Sequence, residues 1–141
     1  MADPRKTVAF DGIAERNVTM KIDNSTIVYD ATKAFGSAQV GLAVVLSTDR
    51  TVKLAEDAEI IHGKLLEVYA DNLCSVQVEG YMELPGGNGA TLTIGSKIVG
   101  ALGAASAKGY VRSAAATAAE ALAARGQIID NDDTTKVIVK L

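Results

Sequence analysis

The run of residues 64–85 constrains the fold most, because it contains two strand-like segments joined by a short turn. In the second segment, the residues at positions 76, 78, 80, 82 and 84 alternate with those at 75, 77, 79, 81 and 83. This period of two places one set on a core and the other in water. An Asp-Asn pair suits the turn, and Pro85 lacks the N–H that would continue a ladder. The run therefore predicts a hairpin in which Leu66 and Val78 face the core and Gln77 faces water, so that an added charge is severe at Val78 and mild at Gln77.

Further short strand-like runs follow one another along the chain, separated by turn residues. They cover residues 17–23, 26–29, 40–46, 51–54, 91–94, 97–99, 127–130 and 136–141. We expect three local pairs among them: 17–23 with 26–29, 91–94 with 97–99, and 127–130 with 136–141. The run 40–46 is apolar throughout, which predicts a short strand that is buried on both faces or lies at a barrel seam.

One stretch, Ala114–Arg125, has the composition of a helix. Its alanines have the highest helix propensity, and Thr117 and Glu120 have the spacing of a capping box. Gly126 follows at the position where a left-handed C-terminal residue is favoured. The stretch therefore predicts the one helix of the chain.

Together these patterns predict a mainly β fold. It is a small antiparallel β-barrel or sandwich with one short Ala-rich helix and an extended N-terminal arm. We expect the arm to span residues 1–16 and a single β-barrel domain to span residues 17–141.

The composition predicts an aliphatic core. At 141 residues the chain is long enough for one domain with one core, and its hydrophobic content of 48% excludes a disordered chain. Only 4% of the residues are aromatic and none is Trp, so Val, Ile, Leu and Ala must fill the interior. Since such a core contributes less stability per residue, we expect self-association to add buried area.

The charge and the cysteine content point away from several classes of partner and site. A net charge of −3 gives no field for nucleic acid or an anionic membrane, so neither is expected as a partner. No run approaches the ~20 apolar residues of a membrane span, and the start lacks the apolar stretch of a signal peptide, so we expect a soluble, unexported protein. The lone Cys74 is expected to be a buried structural thiol.

The chain lacks the motifs of catalytic, cofactor and metal sites. His62 is the only histidine, so a two-histidine metal site is excluded and a histidine-containing triad could be built only through His62, which we expect to be a surface or seam residue. The Gly-rich stretches 85–89 and 100–109 match neither phosphate-binding pattern. We therefore predict a protein that is not an enzyme, with no catalytic, cofactor-binding or metal-binding residues.

Two sets of carboxylates have simpler explanations than chemistry. One set, Asp130, Asp132 and Asp133, lacks the EF-hand spacing and is expected to form a turn. The other set, Glu67, Glu79 and Glu83, is expected on the outer face of the central hairpin. No aromatic platform for a sugar accompanies it, which argues against glycoside hydrolysis.

An ordered series of short phrases resembles the capsid decoration, or cement, proteins of tailed bacteriophages. The phrases are TVKLA, IIHGKLLEV, VQVEGYMELP, TLTIGSKIV, GYVRSA, RGQII and VIVKL, and they extend over residues 17–141. The resemblance implies a small β-barrel that binds the outer surface of a phage head and bridges major capsid protein subunits. It also implies a homo-oligomer, a trimer ahead of a dimer, at a local symmetry axis of the virion. The alternative from the residues is a non-catalytic β-barrel module that binds a sugar or another small ligand.

The N-terminal arm is the expected partner-binding segment. Its few apolar side chains cannot offset the roughly 1–2 kcal/mol per residue of ordering entropy, yet the run 7–10 can form a strand where another chain offers an edge. We expect Val8 and Phe10 to pack, and Arg5 and Lys6 to meet acidic groups, on the capsid or on a neighbouring copy.

Overall fold

The computed structural model describes residues 13–133 and 135–141, and its elements are strands with one short helix. The strands are β1 Arg16–Ile22, β2 Ala43–Thr48, β3 Thr51–Leu54, β4 Gly63–Val68, β5 Leu73–Glu79, β6 Tyr81–Pro85, β7 Ile98–Ala101, β8 Tyr110–Ser113, β9 Gln127–Asp133 and β10 Lys136–Lys140. The helix α1 is Ala118–Ala123, and two 3₁₀ turns lie at Ala34–Gly36 and Ala104–Ser106.

The first five strands close into a barrel in the order β1-β3-β2-β4-β5. Neighbours run antiparallel except β1 and β3, which run parallel. The remaining strands form a sheet in the order β6-β10-β9 and the two-stranded ribbon β7-β8. The predicted mainly β fold with a barrel and one helix is therefore confirmed.

Two apolar clusters, rather than the single expected core, fill the molecule. The barrel cluster is Ile22, Ile27, Val44, Val52, Leu54, Leu65, Val68, Cys74 and Val76. The sheet cluster is Ala43, Val45, Ala55, Ile61, Met82, Leu84, Ile98, Val111, Ile128, Val137 and Val139. Strand β2 belongs to both, because Val44 points into the barrel while Ala43 and Val45 point toward the sheets. The predicted strand buried on both faces is therefore confirmed for residues 43–45, whereas Leu46 is exposed.

The predicted central hairpin is present as β4 and β5, but the predicted orientation of its side chains is partly wrong. Gln77 is only 1% exposed, and its side-chain amide donates to the carbonyl oxygens of Glu79, at 3.2 Å, and Tyr81, at 3.1 Å. The pairing of β5 with β1 skips one residue at Val78, which is half-buried against the barrel cluster. An extra residue of this kind changes which side chains face inward.

A second irregularity, in β4, makes Leu65 the buried residue instead of Leu66. The pairing of β4 with β5 skips a residue at Leu66, so that Leu65 and Val68 both point into the barrel. At both places, the skipped residue interrupts the alternation of inward-facing and outward-facing side chains.

The second segment of the predicted hairpin is two strands that meet at Gly80. This glycine has a φ of +99°, and a Cβ atom there would lie 2.6 Å from the carbonyl oxygens of Ile13 and Ala14. The backbone leaves the barrel at this point and enters the other sheet as β6. A side chain would exclude both the conformation and the close approach of residues 13 and 14.

Two of the three expected local pairs are absent. Residues 26–29 are not a strand, because the carboxylate of Asp23 accepts the backbone N–H groups of Ser25, Thr26 and Ile27 and winds the chain into a loop. Residues 91–94 are also irregular, and β7 pairs with β8 instead. The third pair, β9 with β10, is confirmed, with Val137 and Val139 buried.

The helix is confirmed but is shorter than predicted. The hydroxyl of Thr117 accepts the backbone N–H of Glu120 at 3.3 Å, as the capping spacing indicated, and Gly126 has a φ of +67°. The Glu120 carboxylate also accepts the backbone N–H of Ala115, outside the helix. That contact holds the residues just before Thr117 outside the helix. No helix in the described residues is long and apolar enough to cross a membrane.

Replacing Gln77 by Glu should lower the free energy of unfolding by about 3 kcal/mol or more. The isosteric change removes the amide donor and places a carboxylate against two carbonyl oxygens in a buried site. The measurement is denaturant unfolding followed by circular dichroism. The reverse change at the exposed neighbour, Glu79→Gln, is the control and should cost about 1 kcal/mol or less. Equal losses in the two variants would contradict the buried role of Gln77.

Candidate functional site

A surface groove of about 400 Å³ opens where β2 and β4 separate, and we call it the seam groove. Its walls include Val45, Leu46, Ile60, Ile61, His62 and Arg125. Strands β2 and β4 pair only at Ala43 with Lys64 and at Val44 with Gly63. Strand β4 begins at Gly63, so β2 continues past it without a pairing to β4.

The backbone of Leu46 points into the seam groove. The N–H of Ala55 donates to the carbonyl oxygen of Ala43 at 3.0 Å, so the pair Val45 and Lys53, two steps along, faces its partner in the same way. Leu46 lies between such pairs, and its N–H and C=O therefore point away from β3. The seam groove thus exposes an edge of β2 that β4 does not cover.

On the other wall of the groove, the guanidinium of Arg125 donates hydrogen bonds to backbone carbonyl groups, as the N–H groups of a neighbouring strand would do. It donates to the carbonyl oxygens of Ile61 at 2.9 Å, His62 at 3.2 Å and Val78 at 3.4 Å. A rigid fork with five donors suits such a cluster of carbonyls. Arg125 therefore links the start of β4 to β5 where the ladder to β2 has ended.

Two large aliphatic side chains border the groove and face solvent. Leu46 is 55% exposed and Ile60 is 58% exposed, while Val45 and Ile61 beneath them are buried in the sheet cluster. An apolar centre surrounded by polar groups is the usual anatomy of a protein interface. The groove therefore has the character of a docking surface for an extended or flat apolar partner.

A loop with three carboxylates, residues 56–59, forms the polar border and is held by ion pairs. Lys53 lies 2.8 Å from Glu59, Lys108 lies 2.7 Å from Glu56, and Arg112 lies 3.0 Å from Asp57. The cations come from three different segments of the chain. Single exposed pairs contribute little, but together they fix the path of the loop.

Arg112 connects this loop to the helix through a two-bond contact with Glu120. Its guanidinium donates to both carboxylate oxygens, at 2.9 and 2.6 Å. The hydrogen bonds from Arg112, together with one from the backbone of Ala115, lower the pKa of Glu120 to about 2. The Glu120 carboxylate is therefore charged at neutral pH and in mildly acidic solution.

His62 lies in the groove wall as a seam residue, as the sequence predicts. Burial lowers the pKa of His62 below 6.5, and the positive charge of Arg125 lowers it further. The imidazole is therefore neutral at pH 7 and adds no charge to the groove.

The structure places the other sequence candidates as follows. Arg5, Lys6, Val8 and Phe10 lie outside the described residues, so the partner-binding arm stays a prediction. Cys74 is buried in the barrel cluster, and burial raises the pKa of its thiol to about 11.

The expected turn at Asp130, Asp132 and Asp133 is wrong in its position, because β9 continues through these residues to Asp133. Asp133 accepts the N–H and the hydroxyl of Thr135, which is turn chemistry, and Glu79 and Glu83 make exposed ion pairs with Arg16 and Lys136. Within residues 13–133 and 135–141, no group of three or more His, Cys, Asp or Glu residues could hold a metal ion.

The groove residues Leu46, Ile60 and Arg125 were not identified from the sequence. Leu46 ends an apolar run and Ile60 is half of an Ile-Ile pair, so both resemble core residues in their local pattern. Arg125 ends the Ala-rich stretch without a partner nearby in sequence. Only the separation of β2 from β4 makes these residues a site.

Comparison with protein-family models, with curated proteins and with solved structures finds no match for this chain.

Replacing Arg125 by Lys should lower the free energy of unfolding by about 1–3 kcal/mol, because an ammonium group cannot bridge three carbonyl oxygens. Thermal denaturation at neutral pH measures the effect. Arg16→Lys makes the same change in a side chain that is 78% exposed, and it should be nearly neutral. If both variants melt like the wild type, Arg125 does not hold the seam together.

The stability should fall as the pH drops through the range below 6.5, in part because of His62. Its pKa is lower in the folded chain, so the unfolded chain binds the proton first and is favoured on acidification. The contribution is fully present above the unfolded pKa and is lost below it. The free energy of unfolding of the wild type should therefore drop more between about pH 7.5 and pH 5.5 than that of His62→Gln. Parallel curves for the two proteins would contradict the shift.

Proposed function

We propose that this protein is a structural capsid decoration protein, which binds the outer surface of a tailed-phage head and stabilises it by bridging major capsid protein subunits. The observation that carries the proposal is the seam groove, with exposed Leu46 and Ile60 beside an edge of β2 that β4 does not cover. The ordered resemblance of residues 17–141 to decoration proteins supplies the identity of the partner. In this proposal, the protein acts by binding the capsid surface and catalyses no reaction.

The rigidity of the groove supports a role in clamping. The loop 56–59 is fixed by ion pairs with Lys53, Lys108 and Arg112, and Arg125 donates to carbonyl oxygens of the residues before β4 and of β5. A preorganised surface loses little conformational entropy on binding, so more of the contact energy remains for holding the partner. Assembly as a homo-oligomer, a trimer ahead of a dimer, would let one unit contact several capsid subunits.

The alternative, a barrel that binds a sugar or another small ligand, has less support. The side chains of the barrel cluster fill the barrel from within, as expected for a small barrel, so its interior is not a ligand cavity. The seam groove has the volume of a ligand site, but the residues that line it include no Phe, Tyr or Trp on which a sugar ring could stack.

The test is binding to heads assembled from the major capsid protein of the same genome. We expect saturable binding and a higher melting temperature of the heads with the protein bound. Leu46→Asp combined with Ile60→Asp should raise the Kd at least about tenfold, because it places charge in the apolar centre of the interface.

Leu122→Asp is the matched control, since this side chain is 88% exposed on the helix and lies outside the groove. It should bind heads like the wild type. Absence of the chain from purified particles by mass spectrometry, together with no binding to assembled heads, would exclude the proposed function. Unchanged binding of the groove variant would exclude the groove as the contact surface.

A further inference from the structure

Leu46 presents two backbone groups to the seam groove that have no partner. Val52 lies opposite Leu46 in the hairpin of β2 and β3, and its carbonyl oxygen accepts the N–H of Asp23, just after β1, at 3.1 Å. The backbone of Val52 therefore bonds on the side away from β2, and the pair Leu46 and Val52 exchanges no hydrogen bond. Within residues 13–133 and 135–141, the N–H and the C=O of Leu46 have no other partner.

Another residue of β2 shows where these two groups point. Val44 lies two residues before Leu46 and has the same orientation, and its carbonyl oxygen accepts the N–H of His62 at 2.8 Å. If β4 began earlier in the register of its two existing pairs, Ile61 would lie opposite Leu46. The carbonyl oxygen of Ile61 instead accepts a hydrogen bond of 2.9 Å from Arg125. The place of a strand beside Leu46 is therefore left open.

The seam groove carries one uncompensated positive charge. Glu59, the acidic residue of its walls, lies 2.8 Å from Lys53, and the two charges cancel. His62 is neutral at pH 7, because burial and the charge of Arg125 lower its pKa. Among the described residues, Arg125 makes its hydrogen bonds to carbonyl oxygens and forms no ion pair with a carboxylate. The remaining charge of the groove is that of Arg125.

The guanidinium of Arg125 also has N–H groups left for an acceptor from outside. Its hydrogen bonds to Ile61, His62 and Val78 come from Nη1 and Nη2 and account for three of its five N–H groups. In the part of the chain that the structure describes, the donors that remain on Nε and Nη2 have no acceptor. These nitrogens are adjacent in the planar group, which is the arrangement that holds a carboxylate through two hydrogen bonds.

We propose that the seam groove binds an extended segment of a partner chain, which adds to the open edge of β2 at the backbone of Leu46 and places a carboxylate on Arg125. In antiparallel pairing, one residue of the segment exchanges both hydrogen bonds with Leu46. The exposed side chains of Leu46 and Ile60 supply the apolar contacts beside it. The inference rests on the proposed function for the identity of the partner, the major capsid protein.

The two kinds of unpartnered group favour a peptide over a small anion. A small anion would match Arg125 but would offer no donor to the C=O of Leu46. An extended peptide offers an N–H and a C=O at each residue, and its side chains alternate between its two faces. A single Asp or Glu in such a segment then supplies the carboxylate. The partner is therefore an apolar strand-forming segment with one acidic residue.

The loop beside the groove is held in place before a partner arrives. The N–H of Ala58 donates to the carbonyl oxygen of Gly100 at 2.9 Å, and the N–H of Gly100 donates to that of Glu59 at 2.9 Å. The residues that lead into Ile60 are thus bonded to β7. A surface that is already ordered loses little entropy on binding, which favours the addition of a short segment.

The first test uses a capped peptide of six residues that alternates Val with Thr and has one Asp in place of a central Thr. Titrated into the isotope-labelled full chain at neutral pH and low salt, it should give saturable NMR shifts at the Leu46 N–H and the Arg125 Nε–H. The same peptide with Asn in place of Asp should have a Kd about threefold higher or more, because a charge-assisted hydrogen bond is lost. Equal Kd values, or no shift at Leu46 at millimolar peptide, would overturn the proposal.

A pair of variants tests the backbone contact at Leu46. Leu46→Pro removes the N–H that points into the groove, and proline is tolerated at a strand edge where that N–H has no partner. Leu46→Ala is the matched control, because it shortens the same side chain and keeps the N–H. The Kd for the Asp peptide should be about tenfold higher for the proline variant than for the alanine variant. Equal Kd values for two variants that melt alike would contradict the strand pairing.

Amide exchange of the unsubstituted protein on assembled heads separates this inference from the proposed function. Exchange at the Leu46 N–H should slow about tenfold or more on binding. Exchange at Asn72 is the control, since its N–H donates to Tyr69 in the turn between β4 and β5, and it should not change. Binding to heads without slower exchange at Leu46 would overturn the inference and leave the proposed function standing. Binding of the peptide without binding to heads would exclude the proposed function and support the site with another partner.

The same measurement on the free protein shows whether the edge of β2 is already occupied. We expect fast exchange at Leu46 at every protein concentration. Slow exchange that does not depend on concentration would mean that the chain covers its own edge, and slow exchange that appears as the concentration rises would place a second copy there. Either result would overturn the proposal.

Discussion

The burial of β2 on both faces is the constraint on which the rest of the structure depends. Val44 completes the barrel cluster, while Ala43 and Val45 complete the sheet cluster, so one strand of six residues belongs to two cores. A segment buried on both faces cannot alternate between apolar and polar residues, which accounts for the apolar start of β2; its last three residues are exposed. Strand β4 pairs with β2 only at Ala43 and Val44, within this buried part. The seam groove lies next to these pairs, at Val45 and Leu46.

The fold class was predictable from the sequence because each strand carries its own signal. Short alternating runs, turn residues and the capping pair Thr117 and Glu120 are local features, and most of them mark a strand or the helix in the structure. The facing of Gln77 was not predictable, since one extra residue in a ladder reverses the pattern without changing the composition. The prediction of a strand at residues 26–29 was wrong because the carboxylate of Asp23 accepts the backbone N–H groups that a strand would use.

The candidate site could not be identified from the sequence, for a different physical reason. Leu46 and Ile60 have the local pattern of buried residues, and their exposure follows from the separation of two strands that are distant in sequence. Arg125 contacts carbonyl oxygens more than 45 residues away along the chain. The partner, by contrast, is suggested by the order of weak phrases along the chain and by no single residue. Geometry and resemblance thus contribute different parts of the proposed function.

Gly80 has a consequence for how this kind of chain diverges. Its φ of +99° and the two carbonyl oxygens within 2.6 Å of a Cβ position leave room for glycine alone, at the point where the chain passes from barrel to sheet. Aliphatic residues on either side can exchange for one another as long as the two cores stay filled. Relatives that have drifted beyond recognition by overall similarity should therefore still carry a glycine between two strand-like runs at this junction. That single position offers a better marker of descent than the apolar phrases around it.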